Sequence, residues 1–423
     1  MPEPESFEPS PAYRWYVLAV LFVVYVVNFV DRQILSSVMG PIKSELGVSD
    51  FQMGLLGGTA FALLYAVAGI PIARWADVGV RRNVVALAVA VWSALTAACG
   101  TATSFAQLAA YRVGVGIGEA GGSAPSHSLI ADYFPPERRA RALAVLSMGL
   151  HVGIFIGLVI GSRFNEDWRN AFLIVGLPGI ALALLVRLTV REPPRGASEI
   201  VAIADDVPGL RETFETLMRL QSVRWILVGA SLAAFSGYSF ALWGFEFFAR
   251  SFELPRAEIG LKLGLITALG GGFGTWVGGQ FADRMGRRDV RWYAWTCAIG
   301  LALTVPLGAA TFYAAEAGYA LGFGAAFLFA GALYIGPMYA ILQAVSPPRM
   351  RSMAAAIMFF CNNLIGLGIG PPAAGLLSDV LAAQYGDTAM RHSLLAVTLV
   401  NLPVVAIFMT IARHSRREMA PQS

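Results

Sequence analysis

Arg112 and Glu119 lie in the run Arg112-Val113-Gly114-Val115-Gly116-Ile117-Gly118-Glu119-Ala120-Gly121-Gly122, and Asp31-Arg32 lies in another run; both runs are predominantly apolar. Charge at bilayer depth is costly, and it is kept where it handles protons, ions or substrate. A separation of seven residues is nearly two helical turns, so Arg112 and Glu119 share a helix face about 10.5 Å apart at ~1.5 Å per residue, too far for an easy direct bridge. Small movements of a guanidinium change the proton affinity of nearby carboxylates. Arg112 stays charged and must be paired in every state, so it is expected to exchange partners among Asp31, Glu119 and an anionic substrate group. The plainer alternative is a permanently closed ionic staple, which is a weak source of stability.

These residues need long apolar elements to hold them. The chain of 423 residues is 57% hydrophobic and 14% charged, with mean hydropathy +0.63, a composition whose solvent is mostly lipid. Twelve apolar runs of roughly spanning length occur at 15–38, 51–73, 83–102, 104–130, 140–162, 170–190, 224–249, 257–281, 291–313, 315–345, 352–378 and 391–412. None alternates strictly, which predicts helices rather than a β-barrel. Placing both termini inside puts 22 of the 31 basic residues on the cytoplasmic side, as the positive-inside rule requires. The acidic, proline-containing start lacks a signal-peptide n-region, so the first helix is expected to be retained. The net charge of +4 is mostly loop arginine, with no basic aromatic stripe for nucleic acid.

Cys99, Cys297 and Cys361 are odd in number and form no Cys/His cluster, so they read as packing residues. His127, His151, His392 and His414 are too dispersed for a metal site. His127 and His151, near helices four and five, read as buried imidazoles on helix backbone, with support of proton coupling as the sharper alternative. No catalytic cluster, nucleophile elbow or phosphate loop appears; the expectation is no enzyme, no cofactor and no metal.

Residues 191–222 are the one long polar interruption, dividing the chain six runs to six. The expected organisation is a cytoplasmic tail 1–13, a six-helix bundle 14–190, a linker 191–222, a second bundle 223–414 and a tail 415–423. Leu210, Phe214, Leu217 and Met218 recur at helical spacing, as in a short amphipathic helix on the membrane surface; a plain tether is the alternative. The halves echo each other. Ala73-Arg74-Trp75-Ala76-Asp77-Val78-Gly79-Val80-Arg81-Arg82 returns 206 residues later, by the aspartates, as Gly279-Gln280-Phe281-Ala282-Asp283-Arg284-Met285-Gly286-Arg287-Arg288. Pro135-Pro136-Glu137-Arg138-Arg139-Ala140-Arg141 is similarly echoed by Pro347-Pro348-Arg349-Met350-Arg351.

The twelve helices, the central division and the Gly-x-x-x-Asp-Arg-x-Gly-Arg-Arg loop resemble the major facilitator superfamily over about 14–414. The second copy fits at every position, whereas the first opens on Ala73 and carries its glycine one place early. The resemblance implies an all-α integral membrane protein of two pseudo-symmetric six-helix bundles working by alternating access. It also implies that Asp77, Arg81, Arg82, Asp283, Arg284, Arg287 and Arg288 form cytoplasmic gating motifs. There a carboxylate accepts from backbone N–H groups at a helix N-terminus while the arginines bridge to other loops. Asn28-Phe29-Val30-Asp31-Arg32, with Gly116-Ile117-Gly118-Glu119-Ala120 and Ser123-Ala124-Pro125, is similar to the Spinster family of proton-linked lipid transporters. This narrower resemblance implies that Asp31, Arg112 and Glu119 couple protons, with Arg32 in support.

The glycines of helix four allow close helix approach, and helix five offers a partner stripe at Gly149, Gly153, Gly157 and Gly161. Gly366, Gly368, Gly370, Pro371 and Pro372 predict a bend in helix eleven. The second half is aromatic, and Tyr238, Trp243, Glu246, Tyr334, Tyr339, Asn362 and Asn363 are its substrate-cavity candidates. The leading expectation is a monomeric multi-pass transporter of the cell membrane, with both termini cytoplasmic, moving a small amphipathic, lipid-like substrate with protons. The alternatives are proton-coupled transport of a small organic anion and, from another class, a non-transporting membrane sensor or scaffold.

Overall fold

The computed structural model describes residues 9–164, 167–195, 210–347 and 350–418. The expected tail at 1–8, the linker core 196–209, Pro348-Arg349 of the second loop echo and the C-terminal 419–423 lie outside the described residues.

Every apolar run becomes helix. Spans one to three are α1 (Pro11–Leu46), α2 (Asp50–Gly57) with α3 (Thr59–Val78), and α4 (Arg81–Cys99). Spans four to six are α5 (Phe105–Glu119) with α6 (Ser123–Tyr133), α7 (Pro136–Gly161) and α8 (Trp168–Thr189). After a short α9 (Leu210–Arg219) come α10 (Gln221–Ser251), α11 (Arg256–Gly286) and α12 (Trp292–Phe312). Span ten is α13 (Ala317–Ala332) with α14 (Ile335–Val345). Span eleven is α15 (Arg351–Cys361), a π-helical turn (Asn362–Leu367) and α16 (Gly368–Tyr385), and span twelve is α17 (Ala389–Leu399) with α18 (Asn401–Glu418). Among the described residues, nine helical stretches are long and apolar enough to cross a membrane, and the one at Met353–His414 holds two of the twelve runs. The runs at 104–130 and 257–281 are not among them: α5 ends at Glu119, and the middle of α11 is rich in glycine, which lowers its hydropathy.

The repeat extends to the helix breaks. Ser123–Tyr133 and Ile335–Val345 are both eleven-residue helices, displaced by 212 residues, and α13 begins 212 residues after α5. In this register Arg112 corresponds to Gly324 and Glu119 to Gly331. Both halves therefore break the same helix, and only the first places charge there.

The chain divides into two compact units, Met1–Ile42 with Leu63–Ala204, and Lys43–Ala62 with Asp205–Ser423. The second unit thus includes the end of α1, all of α2 and the first turn of α3. Within it, a Cβ at Gly54 would sit 2.6 Å from the Pro371 carbonyl oxygen, and one at Gly375 2.3 Å from that of Asp50. Only glycine permits α2 to lie this close to α16. Pro372 has no N–H for the carbonyl four residues earlier, Gly368. That carbonyl instead accepts from the Thr59 hydroxyl at 2.5 Å. Where a bend was expected in helix eleven, the helix changes type at a π turn just before these prolines, and α16 continues through them.

The two glycine stripes expected to meet do not. Gly114, Gly118, Gly121 and Gly122 face α4, with a Cβ at Gly118 landing 2.9 Å from the Trp92 nitrogen. Gly149, Gly153, Gly157 and Gly161 face α1, against Tyr25, Phe29, Gln33 and Ser37. A small-residue stripe admits any helix with a compatible ridge, so its presence does not name its partner. The expected linker helix does form, as α9, but Leu217 is fully buried in the core of the second unit with Val223, Ile226 and Phe408. Leu217 packs on protein, while Phe214 on the same helix is half exposed.

Candidate functional site

In the first unit α1, α4 and α5 bring the charged residues of the sequence together as two pairs. Asp31 accepts from the Thr96 hydroxyl and faces Arg112 Nη1 at 3.5 Å, with both charged side chains 1% exposed. Glu119, fully buried, is paired with Arg32 Nε at 2.5 Å, and Arg32 is 19% exposed. Asn28, one turn before Arg32 on α1, lies beside Glu119, and Cys99 lies close to Asp31 and Arg112. The expected Arg112–Glu119 exchange is therefore divided in this conformation: Arg112 faces Asp31, and Glu119 takes Arg32. The reason is helical position, since Asp31 and Arg32 project about 100° apart around α1, one toward α4 and one toward the end of α5.

Arg32 is held between aromatic faces, its guanidinium carbon 5.2 Å from the Phe29 ring centroid and 5.0 Å from that of Tyr65. Guanidinium–aromatic stacking keeps the cation in place without using up its donors. His127, half-buried, has its Nδ1 2.8 Å from the Ser123 carbonyl oxygen, while its ring lies edge-on to Tyr25. His151 is half-buried on α7, between Gly149 and Gly153, which pack on α1.

In the second half Asn401 Nδ2 donates to Thr304 at 2.9 Å and to Ser236 at 3.4 Å. Of its aromatic residues, Phe240, Phe247, Phe248, Phe312 and Phe327 are buried and pack on one another, with ring centroids from 4.9 to 6.1 Å apart. They form a core rather than a cavity wall. Trp243 is fully buried with its indole N–H donating to the Pro371 carbonyl at 2.8 Å. Glu246 is paired with Arg250 at 3.0 Å and with Arg256 at 3.6 Å. Both are substrate-cavity candidates of the sequence; here one is hydrogen-bonded to backbone and the other ion-paired. Tyr238, Tyr334, Tyr339 and Asn362 are half-buried and Asn363 is buried.

A dense ionic cluster in the second unit was missed by the sequence reading. Asp50 accepts from Arg250 through both carboxylate oxygens, at 2.7 and 2.9 Å, from Lys43 at 2.6 Å and from Ser378 at 2.8 Å. Asp379 accepts the backbone N–H groups of Asp50 and Phe51 at 2.9 and 2.8 Å, capping α2 from outside. The available signal was the capping box Ser49-x-x-Gln52, which places Asp50 on the first turn of a helix.

The loop motifs behave unequally. Arg81, in the less regular copy, is buried and meets Asp132 at 2.5 Å, Glu192 at 2.7 Å, the Ser128 hydroxyl at 2.8 Å and the Pro193 carbonyl at 3.0 Å. The Arg82 backbone N–H donates to Glu192, and Arg195 donates to the carbonyls of Ala76 and Gly79. The described start of the linker thus caps this loop. Asp77 is exposed. In the second copy Asp283 accepts from the Tyr293 hydroxyl at 2.9 Å, and Arg284, Arg287 and Arg288 are exposed. Arg81→Lys is expected to cost about 1–2 kcal/mol, because an ammonium cannot reach this fan of acceptors. Asp77→Asn should stay within ~0.5 kcal/mol. Thermal unfolding of the two variants tests the contrast, and equal losses would remove the special place given to Arg81.

The chain matches the model of the Major Facilitator Superfamily over residues 21–371. It is 32% identical over 413 residues to an MFS-type efflux pump of Mycolicibacterium smegmatis, covering 96% of this chain and 95% of that protein. It is 30% identical over 438 residues to protein spinster homolog 1 of Homo sapiens, covering 95% and 81%. Its fold superposes with a TM-score of 0.91 on the crystal structure of a bacterial homologue of the human lysosomal transporter Spinster, in an inward-facing, unoccupied conformation. That similarity is at 30% identity and covers 98% of this chain and 100% of that one. The chain belongs to the Major Facilitator Superfamily and is a membrane transporter of the Spinster type.

Proposed function

We propose that this protein is a proton-coupled secondary transporter of an amphipathic, lipid-like molecule, acting as a monomer in the cell membrane with both termini cytoplasmic. The observation that carries the reading is the pair of buried acid–base couples, one sealed and one with its arginine partly open. Asp31 and Glu119 are the proton-carrying groups. Arg112 holds Asp31 and its Thr96 hydrogen bond in place. Arg32 is the exchangeable partner: when Glu119 takes a proton, its hold on the guanidinium weakens, and an anionic head group can replace it. Phe29 and Tyr65 give that guanidinium an apolar surround suited to a molecule with a tail.

The test is uptake into proteoliposomes under an imposed pH gradient, with lysolipids, sphingoid bases and small carboxylates as substrates. Affinity is expected to rise with chain length by up to ~0.8 kcal/mol per buried methylene until the cavity is filled. Arg32→Ala should weaken anionic ligands and leave neutral ones of equal length unchanged. Tight binding of a two- to four-carbon acid, with no dependence on chain length, would replace the lipid reading with transport of a small organic anion.

A further inference from the structure

Span eleven changes helix type at Asn362–Leu367, where six residues form a π turn. Such turns widen the helix, leave backbone and side-chain groups out of register, and concentrate at functional sites. Asn363 is 1% exposed, and its Nδ2 donates to the Phe359 carbonyl at 2.8 Å, which fixes which end of the amide is oxygen. Its Oδ1, and that of Asn362, have no hydrogen-bond partner among the described residues. Buried amide oxygens without a donor are costly unless something supplies one.

Aromatic hydroxyl residues gather on the same part of the unit. The Tyr238 ring packs on the turn, since a Cβ at Gly366 would meet it at 3.2 Å. Tyr334 is within electrostatic reach of Tyr238 and Tyr339. It also sits at the break between α13 and α14. Transporter sites form where helices are discontinuous, and here two discontinuities of one unit share a tyrosine cluster. These residues bring together amide oxygens, tyrosine hydroxyls and ring faces. Two buried amide oxygens short of a donor, beside ring faces, favour a cation with N–H or N–CH groups over a phosphate.

We propose that Asn362 and Asn363 of the π turn, with Tyr238, Tyr334 and Tyr339, form a subsite for an alkylammonium group on the polar head of the substrate. The proposal rests on the reading of the protein as a transporter of amphipathic molecules, and adds to it a head-group preference read by the second unit alone.

The experiment is equilibrium binding to the full-length protein in nanodiscs, without a pH gradient. The probes are octyltrimethylammonium, octanol and octyl phosphate, each below its micelle concentration. The ammonium probe is expected to bind about tenfold tighter than octanol. Asn362→Leu should remove that advantage without changing octyl phosphate binding. Asn362→Asp, isosteric and anionic, should increase the advantage a further ~10-fold, which a purely structural asparagine would not do. Equal binding of ammonium and alcohol, or parallel loss of all three probes in Asn362→Leu, overturns the subsite. Chain-length dependence across butanol, hexanol and octanol separates the readings: if it persists while head-group selectivity is absent, only the subsite fails. If none of the probes binds, the lipid reading fails with it.

Discussion

In Glu119→Gln, gradient-driven accumulation is expected to disappear. A substrate coupled to one proton can be concentrated about tenfold per unit of pH difference, since one unit is worth ~1.36 kcal/mol. A glutamine in the same space cannot carry that proton, so the concentration ratio should fall to one. Folding should survive, because the amide oxygen still accepts from Arg32, and Arg32 is open enough to keep water. Exchange and binding should continue. Asp31→Asn should also lose accumulation, but with lower stability. It leaves the Arg112 cation, 1% exposed, without its carboxylate, and breaking a buried pair costs ~3–5 kcal/mol. The assay is accumulation at a fixed pH difference alongside thermal unfolding. Undiminished accumulation in both variants would place the proton elsewhere. Failure of both to fold would restore the static staple.

The second large effect is expected at Asp50. Asp50→Ala removes the acceptor for Arg250, Lys43 and Ser378 together, leaving Lys43 without its carboxylate and Arg250 with Glu246 alone. With the Asp50 side chain only 3% exposed, the loss should reach ~3–5 kcal/mol. At ~2–4 °C per kcal/mol for a unit of this size, the melting temperature should drop by about 10 °C. Asp50→Asn keeps the backbone cap from Asp379 and should lose roughly half as much. A melting temperature within two or three degrees of the parent in Asp50→Ala would show that the cluster is solvated and contributes little.

The membrane class, the twelve spans and the repeated halves were legible in the sequence because each follows from local properties. Apolar length specifies a span, and the loop echo at Asp77 and Asp283 specifies the repeat. The four charged residues Asp31, Arg32, Arg112 and Glu119 were equally visible, since an ionisable group in an apolar run stands out whatever surrounds it. Partnership was not visible. That Glu119 takes Arg32 while Arg112 faces Asp31 depends on how α1 is rotated against α4 and α5, which one sequence position does not encode. The glycine stripes gave close approach without naming the neighbour. The aromatic residues of α10 gave bulk without telling a phenylalanine core from a cavity wall. The Asp50 cluster joins residues 43, 50, 250, 378 and 379, and the linker residue Arg195 caps a loop more than a hundred positions earlier. Helix formation and membrane insertion are decided within about twenty residues; ion pairing is decided by whichever helices the packing brings within 3 Å, and only the tertiary structure chooses those.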